Sequence, residues 1–206
     1  MLQNVAQLTA SGSVEVQQDL LVMSLSTTRD GADAAAVQTQ LKQALDAALA
    51  LAKQAAAPGQ MDVRTGNFSL NPRYGKDGKL NGWKGSTELV LEGMDFSRIT
   101  TTAGKIQTLS LANVSFALSR EQRARVEGEA QTLAIERFKV KAGEVAKSFG
   151  FAGYTLREVS INANDQSFSP RPYAMQEKSS MVDAAIPVEA GKSTVVVNVS
   201  GSVQMK

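Results

Sequence analysis

The chain of 206 residues has neither cysteine nor histidine. Without histidine it lacks the commonest general base and the commonest transition-metal ligand, so Ser-His-Asp and Cys-His systems and most zinc sites are excluded. The missing cysteine suits an exported protein that avoids stray disulfides as well as a cytosolic one, and fixes no compartment. No apolar run reaches the length of a membrane span; the longest is the alanine-rich tract near 44–57. Neither sign of charge dominates. The 22 basic and 20 acidic residues leave a net charge of +2. The basic runs at 120–125 and 137–141 do not gather into the stripe that phosphate neutralisation needs, so nucleic acid is not an expected partner.

What is present is enough to fold: 43% of the residues are hydrophobic, sufficient for a real core. The strongest single pattern runs from Ser119 to Gly150 and predicts one long helix. Ser119 with Gln122 forms a capping box, and Gly150 stands where a left-handed residue stops the helix. Between them Val126, Ala130, Leu133, Ala134, Phe138, Ala142, Val145, Ala146 and Phe149 gather into an apolar stripe. At about 1.5 Å per residue such a helix outreaches a strand of typical length, so its overhanging turns need a neighbour unless Gly128 and Gly143 interrupt it.

The rest alternates between strands and two shorter helices. Leu8 to Val16 alternate apolar with polar, as do Leu21, Met23 and Leu25, and the short join at Gln17–Asp19 predicts a hairpin. Asp33 caps a helix with Val37, Leu41, Ala44, Leu45, Ala48, Leu51, Ala52 and Ala55 on one side, ended by Pro58-Gly59. Two long strands follow, with a bulge expected at Gly66-Asn67, a turn at Asp77-Gly78, and Pro72 marking a sheet edge. A short helix over 96–107 buries Ile99, Ala103 and Ile106. The strand with Val114, Phe116 and Leu118 leads into the long helix. Tyr154 and Leu156 change parity before Val159 and Ile161, predicting a second bulge. The string 10–16 echoes 199–205, either by chance or because the two ends of the chain pair or occupy related places in one sheet. The whole reads as α+β: mostly antiparallel sheet, with one long and two shorter helices on one face, in a single domain over 1–206.

Reactive groups find little support. Glu88 and Glu92 lie four residues apart on one strand, roughly 13 Å at strand rise, too far for a retaining carboxylate pair. Gly75 to Lys79 lacks P-loop spacing, and Asp30, Asp33, Asp62, Asp77 and Asp95 form no EF-hand loop. Met175 and Met181 offer an oxidant sink, or simply filler. No catalytic, cofactor-binding or metal residue is assigned. The aperiodic segment 164–191, holding Pro170, Pro172 and Pro187, is a long loop that is either a flexible linker or a contact arm. Its candidate partner-contact residues are Phe168, Pro170, Pro172, Tyr173 and Met175.

Several strings, in this order, resemble the SIMPL-domain family of bacterial exported proteins. They are Thr9-Ala10-Ser11-Gly12-Ser13-Val14, Thr65-Gly66-Asn67-Phe68-Ser69-Leu70-Asn71-Pro72-Arg73-Tyr74, Gly82-Trp83-Lys84-Gly85-Ser86 and Val114-Ser115-Phe116-Ala117-Leu118-Ser119. The long helix and the Val-rich last strand match too, and the join at Thr108 to Asn113 is shorter than in many members. The resemblance implies export to the periplasm, no known catalytic residues, and a role in tolerance of oxidative or envelope stress. Met1 leads straight into a strand-like region, as where an export signal has been replaced by a starting methionine. The resulting expectation is a non-enzymatic binding or scaffolding protein of the bacterial envelope. It would be a homo-oligomer, with an envelope protein as a possible partner. The alternatives are a carrier of a small apolar ligand, or a carboxylate- or metal-dependent antioxidant enzyme or hydrolase.

Overall fold

The computed structural model describes residues 3–164 and 186–206. In chain order its elements are β1 (Val5–Gln17), β2 (Leu20–Gly31), α1 (Ala34–Ala55), β3 (Asp62–Tyr74) and β4 (Leu80–Gly93). They continue with α2 (Phe96–Lys105), β5 (Ser110–Ala117), α3 (Arg120–Ser148), β6 (Tyr154–Asn164) and β7 (Lys192–Met205). All strand pairs are antiparallel, in a three-stranded sheet of order β1-β7-β6 and a four-stranded sheet of order β3-β4-β2-β5. The chain divides into two compact units that follow the two sheets. The α+β class with mostly antiparallel strands is therefore the fold.

The four-stranded unit is built on alternation. Leu21, Met23 and Leu25 of β2 and Leu89 and Leu91 of β4 all point to the helix side and are buried, together with Met61. Each such side chain removed from water contributes roughly 2 kcal/mol. Ala44, Ala48 and Ala52 of α1 and Ile99 and Ala103 of α2 close the layer from above, and Ile186 and Val188 pack beside it. Phe96 and Phe116 meet at 5.6 Å between ring centres. Both helices start on an acid: the carboxylate of Asp33, the expected cap, accepts from Ala36 N–H at 2.8 Å, and that of Asp95, which the sequence does not single out as a cap, accepts from Arg98 N–H at 3.0 Å. Arg98 also donates to Ala55 O at the end of α1, tying one helix start to the other's finish. Leu51, expected on the α1 stripe, is exposed.

The other unit places α3 over its three-stranded sheet. Ser119 caps the helix as expected, accepting from Gln122 N–H at 3.2 Å. The buried residues are Val126, Ala130, Ala134, Phe138, Ala142 and Ala146, an unbroken series at four-residue spacing. Such a series is one ridge inclined to the helix axis, and its alanines let the helix come close to the strands. Leu133 and Phe149 fall off that ridge and are exposed, Phe149 by 70%. Gly128 and Gly143 do not interrupt the helix. Its 29 residues span about 43 Å. The 13 residues of β1 and 14 of β7 are unusually long strands that span about as much, so the expected overhang does not exist. The closest approach is at Gly12, where a Cβ would stand only 2.7 Å from Ala134 N and nearer still to Ala130 O. Only glycine leaves room for the helix there.

The hairpin expected between the first two strands does not form. β1 pairs with β7, while β2 pairs with β4 and β5, so the chain changes sheet at Gln18–Asp19. There Gln18 N–H donates to Gly191 O at 3.0 Å. Alternation identifies a half-buried strand but carries no information about its neighbour, which is why the sequence misleads here. The strands that carry the echoing strings 10–16 and 199–205 are paired, so the two ends of the chain do share one sheet, but the strings themselves meet only where Ala10 lies opposite Val199. The two bulges also stand where the parity changes put them, between Thr65 and Phe68 and between Leu156 and Glu158. Gly78, with φ 75°, makes the expected turn between β3 and β4, and Pro72 lies on the edge strand β3.

Candidate interaction surface

The side chains weighed above for chemistry have structural roles. The Glu88 carboxylate accepts from Asn67 N–H in the β3 bulge at 3.2 Å, and Glu92 lies 3.7 Å from Arg64. Asp77 accepts from Lys79 N–H inside the turn, and Asp30 faces Arg73 at 3.8 Å. The Asp95 carboxyl is held below its ordinary 3.8, first by the Arg98 backbone N–H and then by the Arg98 side chain. Among the described residues no three acidic side chains gather as a metal site. Met23 and Met61 are buried in the core, out of reach of a dissolved oxidant. The candidate contact residues Phe168, Pro170, Pro172, Tyr173 and Met175, and the methionines 175 and 181, lie outside the described residues.

Two hollows remain. One, of about 270 Å³, lies on the four-stranded sheet and is lined by Thr28, Ser69, Asn71, Arg73, Lys84 and Ser86. Its Ser69 and Ser86 hydroxyls bond each other at 2.9 Å, and Arg73 is already committed to Asn81 O and to Asp30. The cation therefore spends its donors within the fold.

The other is apolar. A helix about 10 Å across covers two strands spaced about 4.8 Å apart, and α3 lies chiefly over β1 and β7. The helix-facing side of β6 is left bare. Between them runs a trough of about 290 Å³ lined by Ile135, Phe138, Tyr154, Leu156, Val159 and Ile161. Leu156, Val159 and Ile161 are 53%, 44% and 41% exposed, side by side on one strand. The Tyr154 hydroxyl donates to Lys139 O at 3.3 Å and closes one end.

The same strand is an edge, and the edges of this sheet differ. On β1 the Arg137 guanidinium donates to Ser11 O at 2.8 Å and the Lys141 ammonium to Thr9 O at 3.0 Å. Two cations from α3 thus occupy strand carbonyls that would otherwise invite pairing. Among the described residues β6 pairs with β7 and with no other strand, and it contains neither lysine nor proline. The sequence hid this surface, because Tyr154, Leu156, Val159 and Ile161 look like any other core-facing row. The usable signal was a count: one helix and three strands.

The fold defines an α+β protein of two helix-backed antiparallel sheets, and among the described residues no helix is long and apolar enough to cross a membrane. Comparison with known proteins places it further. A family model described as SIMPL, protein of unknown function (DUF541), matches residues 6–203, and the chain belongs to that family. The match runs across both compact units. No curated protein matches. Among solved structures the chain is similar to AtUAH in complex with glyoxylate, at 16% identity and TM-score 0.28 over 64% of this chain and 34% of that one. It is similar also to AtUAH in complex with (S)-hydroxyglycine, at 15% identity and TM-score 0.28 over 63% and 34%. This chain spans about a third of the length of those proteins.

Proposed function

We propose that the protein is an exported, non-enzymatic binding or scaffolding module of the bacterial envelope that self-associates, in service of oxidative or envelope stress tolerance. The observation that carries the reading is the bare apolar row on β6 beside a strand edge that is unpaired among the described residues, a surface suited to contact rather than to chemistry. It is supported by the absence of histidine and cysteine and by acids engaged in capping, turns and ion pairs. Light scattering on a sizing column tests it: a particle of at least twice 21.9 kDa is expected, and a monomer at every concentration contradicts it. Fractionation of cells expressing the full gene product tests the compartment, and oxidant survival of a deletion strain tests the role. Metal analysis with a peroxide-consumption assay addresses the enzyme alternative, which requires a bound ion or turnover.

The trough's lining also favours a second reading, carriage of a small apolar ligand. Its volume sits near the lower end for small-molecule sites. Native mass spectrometry of freshly isolated protein would show a retained mass under this reading and none under the first.

A further inference from the structure

We infer that β6 is a self-pairing strand: two copies join antiparallel along it, about a two-fold axis passing between Arg157 and Glu158. The inference rests on the self-association proposed above and names its surface. The first ground is the inequality of the edges. β1 has two of its carbonyls occupied by Arg137 and Lys141, β3 carries two register shifts and Pro72, and β5 is eight residues long with a register shift beside it. Each of these devices discourages strand addition. β6 has eleven residues, a single bulge and an apolar row.

The second ground is charge and face. A two-fold contact requires a patch to be complementary to itself. Arg157 and Glu158 are consecutive and of opposite sign, so an axis between them sets each Arg157, whose guanidinium also donates to Gln204 Oε1 at 3.1 Å in its own sheet, against the partner's Glu158. That one register also fixes everything else along the strand. Leu156 falls opposite the partner's Val159, and Tyr154 opposite the partner's Ile161, all on the helix side. Thr155 falls opposite the partner's Ser160, both on the other side. The assignment of faces follows from the β7 pairing, where Leu156 meets Val203, Val159 meets Gly201 and Ile161 meets Val199, while Glu158 meets Ser202 and Ser160 meets Ser200. Directly opposed residues in an antiparallel pair share a face, so apolar meets apolar and polar meets polar along the strand. The three-stranded sheet becomes a continuous six-stranded one, β1-β7-β6 followed by its mirror order, and each end is a β1 edge already closed by cations. The two troughs merge into one between two α3 helices, floored by the two apolar rows side by side. Closure at both ends stops the sheet at two copies. A foreign strand of unrelated sequence has no reason to match this pattern of sign and face, which is why the second copy is the occupant.

The test is a mass and affinity series by sedimentation equilibrium. Ile161→Lys places a charge in the apolar row at an exposed position, so the fold is expected to survive. Its self-dissociation constant should rise at least about tenfold. Arg157→Glu should weaken pairing similarly by setting two carboxylates against each other, and the double variant Arg157→Glu/Glu158→Arg should restore it. Tyr74→Lys, at an exposed aromatic on β3, should change nothing. Dimers insensitive to both single variants overturn the β6 assignment while self-association stands. A wild-type monomer at all concentrations overturns both, and a retained small molecule on that monomer identifies the trough's occupant as a ligand instead.

Discussion

The two edges of the three-stranded sheet have similar strands and opposite fates. β1 and β6 both flank β7, both alternate polar with apolar, and both turn their apolar side toward α3. α3 lies on one and misses the other. Where it lies, Arg137 and Lys141 reach over the rim to Ser11 O and Thr9 O; where it misses, Leu156, Val159 and Ile161 stay exposed. The difference teaches that what a strand offers to a partner is decided less by its own sequence than by the width and position of the helix above it.

The largest effect is expected of Gly12→Val. The added side chain would drive against the backbone of α3 at Ala130 and Ala134, where neither atom is free to yield. A loss of about 3 kcal/mol, read from a urea midpoint, is expected together with the loss of the β1 caps. Next, Arg137→Ala with Lys141→Ala should uncover β1 at a cost of about 1 kcal/mol each, since both bonds are charge-assisted but solvent-exposed. Light scattering should then show species heavier than the dimer, which Ile161→Lys reduces but does not abolish. Gly143→Ala sharpens the contrast the other way. Nothing lies within 4 Å of the added methyl, and a glycine inside a helix costs about 1 kcal/mol relative to alanine, so the variant should be stabilised by that amount with its assembly unchanged.

The smallest effect concerns the link from β1 to the centre of the sheet. The Lys192 ammonium donates to Glu15 at 2.7 Å, and this bond, then the Glu15 charge, raises the lysine above its ordinary 10.5. A raised cationic group stabilises the folded state fully below its unfolded value and ceases to do so as pH climbs through its folded value. The contribution is therefore present at neutral pH and lost above 10.5. In Glu15→Gln an NMR titration of the Lys192 side chain should return toward 10.5, with a small change in stability confined to pH below that range.

Much of this architecture was readable from residues alone. Ser119 and Gln122 announce the start of α3, Asp33 that of α1, and the parity changes at Gly66-Asn67 and after Leu156 mark both bulges, because caps and alternation are local physics. What was not readable was non-local. Gln17–Asp19 looks like a hairpin join, and nothing near it reveals that the partner of β1 lies about 190 residues on at Lys192 to Gln204. Leu133 and Phe149 fit a stripe of threes and fours but not the four-residue ridge the sheet accepts. The bare row on β6 could not be told from a buried one until the position of α3 was known. The contact residues expected in the proline-bearing segment fall outside the described part of the chain, and the surface on β6 is a different one.

Amide hydrogen exchange as a function of protein concentration compares the two edges in one experiment. Amides over 155–161 should become more protected as concentration rises, while those over 9–15, already beside their capping cations, should not change. Equal and concentration-independent exchange along both strands would contradict self-pairing at β6.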